Sequence, residues 1–254
     1  MSSEHETINR DYWNGMARDW VAAGERLWGS DPEWGIWGLP EADLRLLPDD
    51  MSQMAAIELG CGTGYVSGWM VRRGASVTAI DISVAQLATA RRLSAYHGAE
   101  IDFVISSAEA VPRADGSFDF AISEYGAAIW CDPERWLREA WRLLWSGGEL
   151  VFLGNHPLSM VCTPADGSAA GFSLEVSYRT LGRLDWSEVE TDPGGVEFNR
   201  SISGWMRLFH EIGFRVEEFQ ELYAPDAVTD ERFGIPANWA KDFPSEQVWR
   251  LRKA

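Results

Sequence analysis

Short apolar runs alternate with helically spaced stretches through the middle of the chain, and that rhythm sets the first expectation of its fold. Met54-Ala55-Ala56-Ile57 reads as a buried parallel strand, after which Tyr65 to Val71 takes up helical spacing. A second strand follows over Ser76-Val77-Thr78-Ala79-Ile80-Asp81, and Ser83-Val84-Ala85-Gln86 has the form of a capping box opening a helix that reaches about Tyr96. Ile101 to Ile105 predicts a third strand and Phe118 to Ser123 a fourth. Asp132 and Pro133 open a helix whose Leu137, Ala140, Trp141 and Leu144 share a face until Gly147-Gly148 stops it, and Glu149 to Leu153 forms a fifth strand. Ile202, Trp205, Met206, Phe209 and Ile212 mark an amphipathic helix ending at Gly213. Phe214 to Phe219 begins a sixth strand, and the alternation of Gln247 to Arg252 supplies a seventh. Strands interleaved with helices in this way predict an α/β fold.

Two stretches lack a clear period. The first fifty residues carry Tyr12, Trp13, Trp20, Trp28, Trp34 and Trp37, with Pro32, Gly35, Gly38 and Pro40 breaking the second half, and predict one or two helices followed by an indole-rich loop. Residues 157–198 hold the breakers Gly167 to Gly171 and 192–195 between aromatic and acidic segments, and predict a helical or hairpin insertion, because a structureless loop of that length is improbable in a compact domain. It is either a substrate lid or a passive surface excursion.

The turn between the first strand and its helix carries the chemistry. Glu58-Leu59-Gly60-Cys61-Gly62-Thr63-Gly64 places glycines at alternate positions, where the backbone can bend sharply and approach a ligand. Backbone N–H groups at the following helix start can face an anionic group, and Asp81, closing the second strand, can accept two ribose hydroxyls. Dinucleotide binders favour Gly-x-Gly-x-x-Gly, and a carboxylate such as Glu58 beside that turn would repel pyrophosphate. The same carboxylate suits a ligand with an ammonium and a sulfonium. At this point the chain resembles the class I S-adenosylmethionine-dependent methyltransferases, over about residues 50–155 closely and 199–223 more loosely.

The resemblance extends to Ser106 to Pro112, similar to the segment that meets adenine, to Asp115 to Ser123, and to Trp145 to Phe152. It implies a Rossmann-like, doubly wound sheet of seven mainly parallel strands with an antiparallel last strand, and the small-molecule subgroup that includes quinone-biosynthesis enzymes. It further implies S-adenosylmethionine as cofactor, held by Tyr12, Glu58, Gly60, Cys61, Gly62, Gly64, Asp81, Ile82, Gln86, Ala108, Glu109 and Ser123. There are two departures from the family pattern: Ser107 stands where an acid is usual, so the adenine contact passes to a hydroxyl, and Ser146 replaces a proline in a turn.

Composition narrows the function further. The chain has 254 residues with 46% apolar content, enough for one domain divided into an aromatic cap (1–50), a cofactor-binding core (51–156), the insertion (157–198) and the rest of the core (199–254). A formal charge of −17 disfavours phosphate backbones and anionic lipid. Cys61, Cys131 and Cys162 have no metal spacing, and no apolar run approaches membrane-spanning length, so a cytoplasmic monomer or homodimer acting on a small molecule, without nucleic acid, membrane or metal, is expected.

Ligands of such sheets bind beyond the carboxyl ends of the strands. There His156 is the preferred base, with a structural hydrogen bonder as the alternative, and Glu124 either binds an acceptor amine, orients His156 or satisfies backbone N–H groups. The availability of a base favours an oxygen acceptor. Trp13, Trp28, Tyr125, Trp130 and Arg200 are the candidate acceptor contacts, Arg200 as the partner of a carboxylate or as a surface ion pair. The competing readings are an RNA- or protein-modifying methyltransferase of the same fold, a non-catalytic cofactor-binding module and an NAD-dependent redox enzyme.

Overall fold

Seven strands hydrogen-bond into one sheet in the computed structural model, which describes residues 3–189 and 193–254. Met1, Ser2 and Asp192, the first residue of the 192–195 breaker, lie outside the described residues. The strands are β1 (Ala55–Leu59), β2 (Ser76–Asp81), β3 (Ile101–Ile105), β4 (Phe118–Glu124), β5 (Leu144–Asn155), β6 (Phe214–Leu222) and β7 (Glu246–Lys253). Their order across the sheet is β6-β7-β5-β4-β1-β2-β3, and β7 alone runs antiparallel to its neighbours. The strand order reverses between β1 and β4, which is where an open α/β sheet offers a crevice to a ligand.

Alternating side chains of the central strands feed two cores, one on each face. Ile57, Leu59, Ala121, Leu150 and Phe152 face helices α5 (Pro133–Leu143) and α6 (Ile202–Ile212), meeting Trp136, Leu137, Trp205 and Phe209. Ala56, Phe120, Ile122, Val151 and Leu153 face helix α3 (Tyr65–Arg72) and the Leu44 to Met51 segment, meeting Val66, Trp69 and Met70. With both faces covered, the strands need apolar residues at consecutive positions, and this is why they stood out in the sequence.

The amino-terminal segment forms α1 (Glu4–Met16) and α2 (Val21–Gly29), followed by a small hairpin pairing Glu33–Trp34 with Leu39–Pro40. Helix α4 (Val84–His97) starts where expected, with the Ser83 hydroxyl accepting the Gln86 N–H at 3.1 Å. Strand β5 differs from expectation. It begins at Leu144 and runs through Gly147-Gly148, because Leu144 already pairs with Phe118 of β4, so α5 ends at Leu143 and not at the glycines. The 157–198 insertion holds the short helix Pro157–Cys162 and a hairpin pairing Arg183–Asp185 with Val196–Phe198. A further hairpin, Glu231–Arg232 with Ile235–Pro236, had no sequence signal.

Candidate active site

The glycine turn is held from both sides by carboxylates. Asp81 at the end of β2 accepts the Gly62 N–H at 2.8 Å through one oxygen and the Ser83 N–H at 2.7 Å through the other. The Ile82 N–H is a third donor, which leaves Asp81 lone-pair capacity for a ligand hydroxyl. Glu58 accepts the Ser67 N–H at 2.8 Å and also the Ser67 hydroxyl, which ties β1 to the first turn of α3. A structural use of Glu58, set against its ligand role, is therefore present in the fold. Burial first, then the charges of Glu124 and Asp81, push Glu58 up to about 8 against the bonds from Ser67, and burial also raises Asp81.

The glycines of the turn differ in what surrounds them. A Cβ on Gly60, whose φ is +80°, would lie 2.7 Å from the Gly126 Cα, so this position is needed for the close approach of the loop after β4. Around Gly62, at φ +50°, no atom lies within 4 Å of a Cβ position. This opening is where a ligand can reach the backbone. In the first turn of α4, which Asp81 holds through the Ser83 N–H, Gln86 is 2% exposed, and its Oε1 has no donor among the described residues. A buried amide oxygen without a partner is costly, and a ligand hydroxyl or amino group would satisfy it. The turn, Asp81 and Gln86 therefore fit a nucleoside bearing a free sugar edge.

Helix α1 lies over the ends of three strands. The Asn14 Oδ1 accepts the Ser83 hydroxyl at 2.8 Å and the Ala85 N–H at 3.2 Å beyond β2, while the Asn9 amide donates to the Trp130 carbonyl at 2.8 Å beyond β4. Beyond β3, His5 Nε2 sits 2.6 Å from Glu109, which also accepts the Asp132 N–H and pairs with Arg135. Glu109 is thus occupied by protein groups, and the Ser107 hydroxyl bonds Glu6 of α1. Neither is left free for adenine in this arrangement. Tyr12, Trp13 and Trp130 form an aromatic cluster with ring centroids 5.2 to 5.8 Å apart, half-buried under the cap.

Several predicted site residues have other duties. Ser123 is fully buried, donating to the Leu59 carbonyl and accepting the Ala128 N–H. Trp28 lies behind the turn, donating to the Thr63 carbonyl at 2.8 Å and covering Gly68 of α3, which is away from the Trp13–Trp130 cluster. His156 caps the Pro157 helix: its Nδ1 accepts the Leu158 N–H at 3.0 Å and its Nε2 bonds Glu221 at 3.1 Å. With both ring nitrogens engaged it has no lone pair to offer a ligand, and burial lowers its pKa against the pull of Glu221. The base assignment from sequence does not fit this geometry, because a helix cap and a base need the same lone pair. Cys61 and Ala108 are buried in the walls, Ile82 is half-buried beside Asp81, and Arg200 is half-buried with Nε lacking a partner.

Glu124 does reach the site. It accepts the Tyr65 hydroxyl and, at 3.2 Å, the Gly35 N–H of the small hairpin, and burial raises its pKa. Tyr125 follows in a left-handed conformation, φ +52°, and donates to Glu246 at 2.8 Å. Such backbone strain in a non-glycine residue concentrates at functional sites. Glu246 and Glu197 were missed by the sequence reading, since nothing in the chain signals that residues 121 and 72 positions from Tyr125 converge on it.

Residues 57–152 match the family described as a methyltransferase domain. The chain is 34% identical over 123 residues to a demethylmenaquinone methyltransferase of Thermus thermophilus, the match covering 48% of this chain and 54% of the relative. It is 32% identical over 139 residues to a ubiquinone biosynthesis O-methyltransferase of a Ruegeria species, covering 53% of each. The chain thus spans about half the length of these curated relatives. Among solved structures it is similar to an S-adenosylmethionine-dependent methyltransferase from Mesorhizobium loti, with a TM-score of 0.68 and 24% identity over 86% of this chain and 100% of the other. This last likeness concerns the fold.

Proposed function

We propose that the chain, whose residues 57–152 match the family described as a methyltransferase domain, methylates a small molecule using S-adenosylmethionine. The observation that carries this reading is the opening over Gly62, whose N–H is held by Asp81, together with the Gln86 Oε1 left without a donor in the first turn of α4. Bound there, S-adenosylmethionine supplies a methyl group made electrophilic by its sulfonium.

The chain's own residues do the rest. Asp81 and Gln86 hold the sugar edge, and the Gly60 to Gly64 turn admits the ligand to the backbone. Helix α1, with Tyr12, Trp13 and Trp130, shields the reacting atoms from water, which in a displacement of this kind is most of the protein's work. With His156 engaged elsewhere, Glu124 is the residue we assign to take the acceptor's proton, its pKa being raised by burial. The preference for an oxygen acceptor rested on His156 and is not carried further. The acidic surface opposes a nucleic-acid substrate. Its three cysteines are free, in keeping with a reducing cytoplasm, and among the described residues no helix is long and apolar enough to cross a membrane.

Calorimetric titration with S-adenosylmethionine, S-adenosylhomocysteine and NAD tests the assignment. Both adenosyl ligands should bind and NAD should not. Binding of NAD alone would reverse it.

A further inference from the structure

Beyond Glu124, two more carboxylates meet at the carboxyl end of the sheet. Glu246 opens β7, and Glu197 lies in the hairpin strand Val196–Phe198. Asn155, the last residue of β5, joins them: it pairs across the ladder with Glu246 and its amide donates to Glu197 at 3.4 Å. The Tyr125 hydroxyl donates to Glu246, and the charges of Glu246, Glu124 and Glu197 all act on it. Adjacent backbone N–H groups of Gly35 and Ile36 go to Glu124 and Glu246, and Asn155 links Glu246 to Glu197, so the three acids are joined in one cluster at Tyr125.

Among the described residues no cation balances that cluster. The donors to these carboxylates are Tyr65 and Gly35 for Glu124, Tyr125 and Ile36 for Glu246, and Trp186 and Asn155 for Glu197, all of them neutral. Glu246 is 0% exposed, yet its Oε2 has no donor among the described residues. Buried carboxylates are ordinarily paired with a cation or satisfied by hydrogen bonds, and an orphan oxygen inside an acidic cluster is the place for a ligand cation. Glu124, Tyr125, Glu197 and Asn155 keep part of their surface accessible despite their depth, as residues lining a cavity do. Trp130, packed against Gly195 just before Glu197, adds an aromatic wall of the kind that attracts cations.

The cluster is separate from the cofactor's side of the cleft. Glu124 accepts the hydroxyl of Tyr65 on α3, the helix that Glu58 holds through Ser67, and the N–H of Gly35, whose neighbour Ile36 donates to Glu246, so Glu124 stands between the two ends. We propose that the methyl acceptor is a small organic amine whose ammonium is held by Glu246 and Glu197 beside Tyr125. This rests on the methyltransferase reading and names its substrate class.

The test uses the full chain saturated with S-adenosylhomocysteine and titrated calorimetrically at neutral pH with matched sets: tryptamine, tryptophol and indole-3-propionate; tyramine, tyrosol and 4-hydroxyphenylpropionate; cyclohexylamine, cyclohexanol and cyclohexanecarboxylate. In at least one set the amine should bind about tenfold tighter than its alcohol and its acid. Glu246→Gln and Glu197→Gln should each remove most of that preference while S-adenosylhomocysteine still binds, which also reports that the variants fold. No amine preference in any set, or a preference that survives both substitutions together, overturns the proposal. Failure of S-adenosylhomocysteine to bind the unaltered chain sinks the methyltransferase reading instead.

Discussion

Two glycines two residues apart have opposite uses, and substitution separates them. Gly60→Ala forces a Cβ to 2.7 Å from the Gly126 backbone at a φ of +80°, so it should cost about 3 kcal/mol of stability, read as a lowered thermal midpoint. Gly62→Ala meets no protein atom within 4 Å and carries only the left-handed strain of about 1 kcal/mol, but its methyl group projects into the ligand's space. Its expected signature is a loss of S-adenosylmethionine affinity out of proportion to the loss of stability; equal affinity in the two proteins would show that the ligand lies elsewhere. His156→Ala follows the same logic in reverse. Removing the cap of the Pro157 helix should cost about 1 kcal/mol and leave cofactor affinity intact, and a rate that collapses without destabilisation would return His156 to the chemistry.

Among the elements, α1 does the least for the core and the most for the site. It touches the loops beyond β2, β3 and β4 through Asn14, His5 and Asn9, each bond spanning a long stretch of chain. Asn14→Ala removes the acceptor of the Ser83 hydroxyl and the Ala85 N–H, worth about 1 kcal/mol, and should speed release of the adenosyl ligand with little change in thermal midpoint. Stopped-flow release kinetics would show it, and an unaltered release rate would mean that α1 is not a cover. This contrast also explains what the sequence disclosed. The central strands are apolar on both faces, and Asp81 and Gly62 are neighbours of the turn that joins two of them, so local pattern sufficed. The Glu197 hairpin, the 231–236 hairpin and the small hairpin carrying Gly35 have strands of only two or three residues and make bonds to distant residues, such as Ile36 N–H to Glu246. No period encodes such bonds, and His156 stayed open between two readings because a cap and a base look alike until the partner of Nδ1 is known.

At the scale of the whole molecule, the buried acids make the ligand-free protein sensitive to alkali. Burial pushes Glu58 and Glu246 up to about 8 and Glu197 to about 7, from an ordinary value of 4.5. In the unfolded chain these groups ionise near 4.5, whereas in the fold they hold their protons, so the stability they contribute is complete at low pH and is lost as pH rises through 7 and 8. His156, lowered from 6.5, acts in the opposite sense but only below that value, so the interval from pH 6.5 to 8.5 isolates the carboxylates. The thermal midpoint should fall across it. Glu246→Gln cannot ionise and should flatten the fall while raising the midpoint at pH 8.5, by an amount equivalent to at least about 1 kcal/mol. The repulsion that comes with a net charge of −17 is nearly the same in both proteins, so the difference between their curves reports Glu246 together with its coupling to Glu124 and Tyr125. A bound amine supplies the missing cation and should diminish the same fall in the unaltered protein, whereas a curve that is flat without any ligand would mean that Glu246 is ionised and already balanced within the fold.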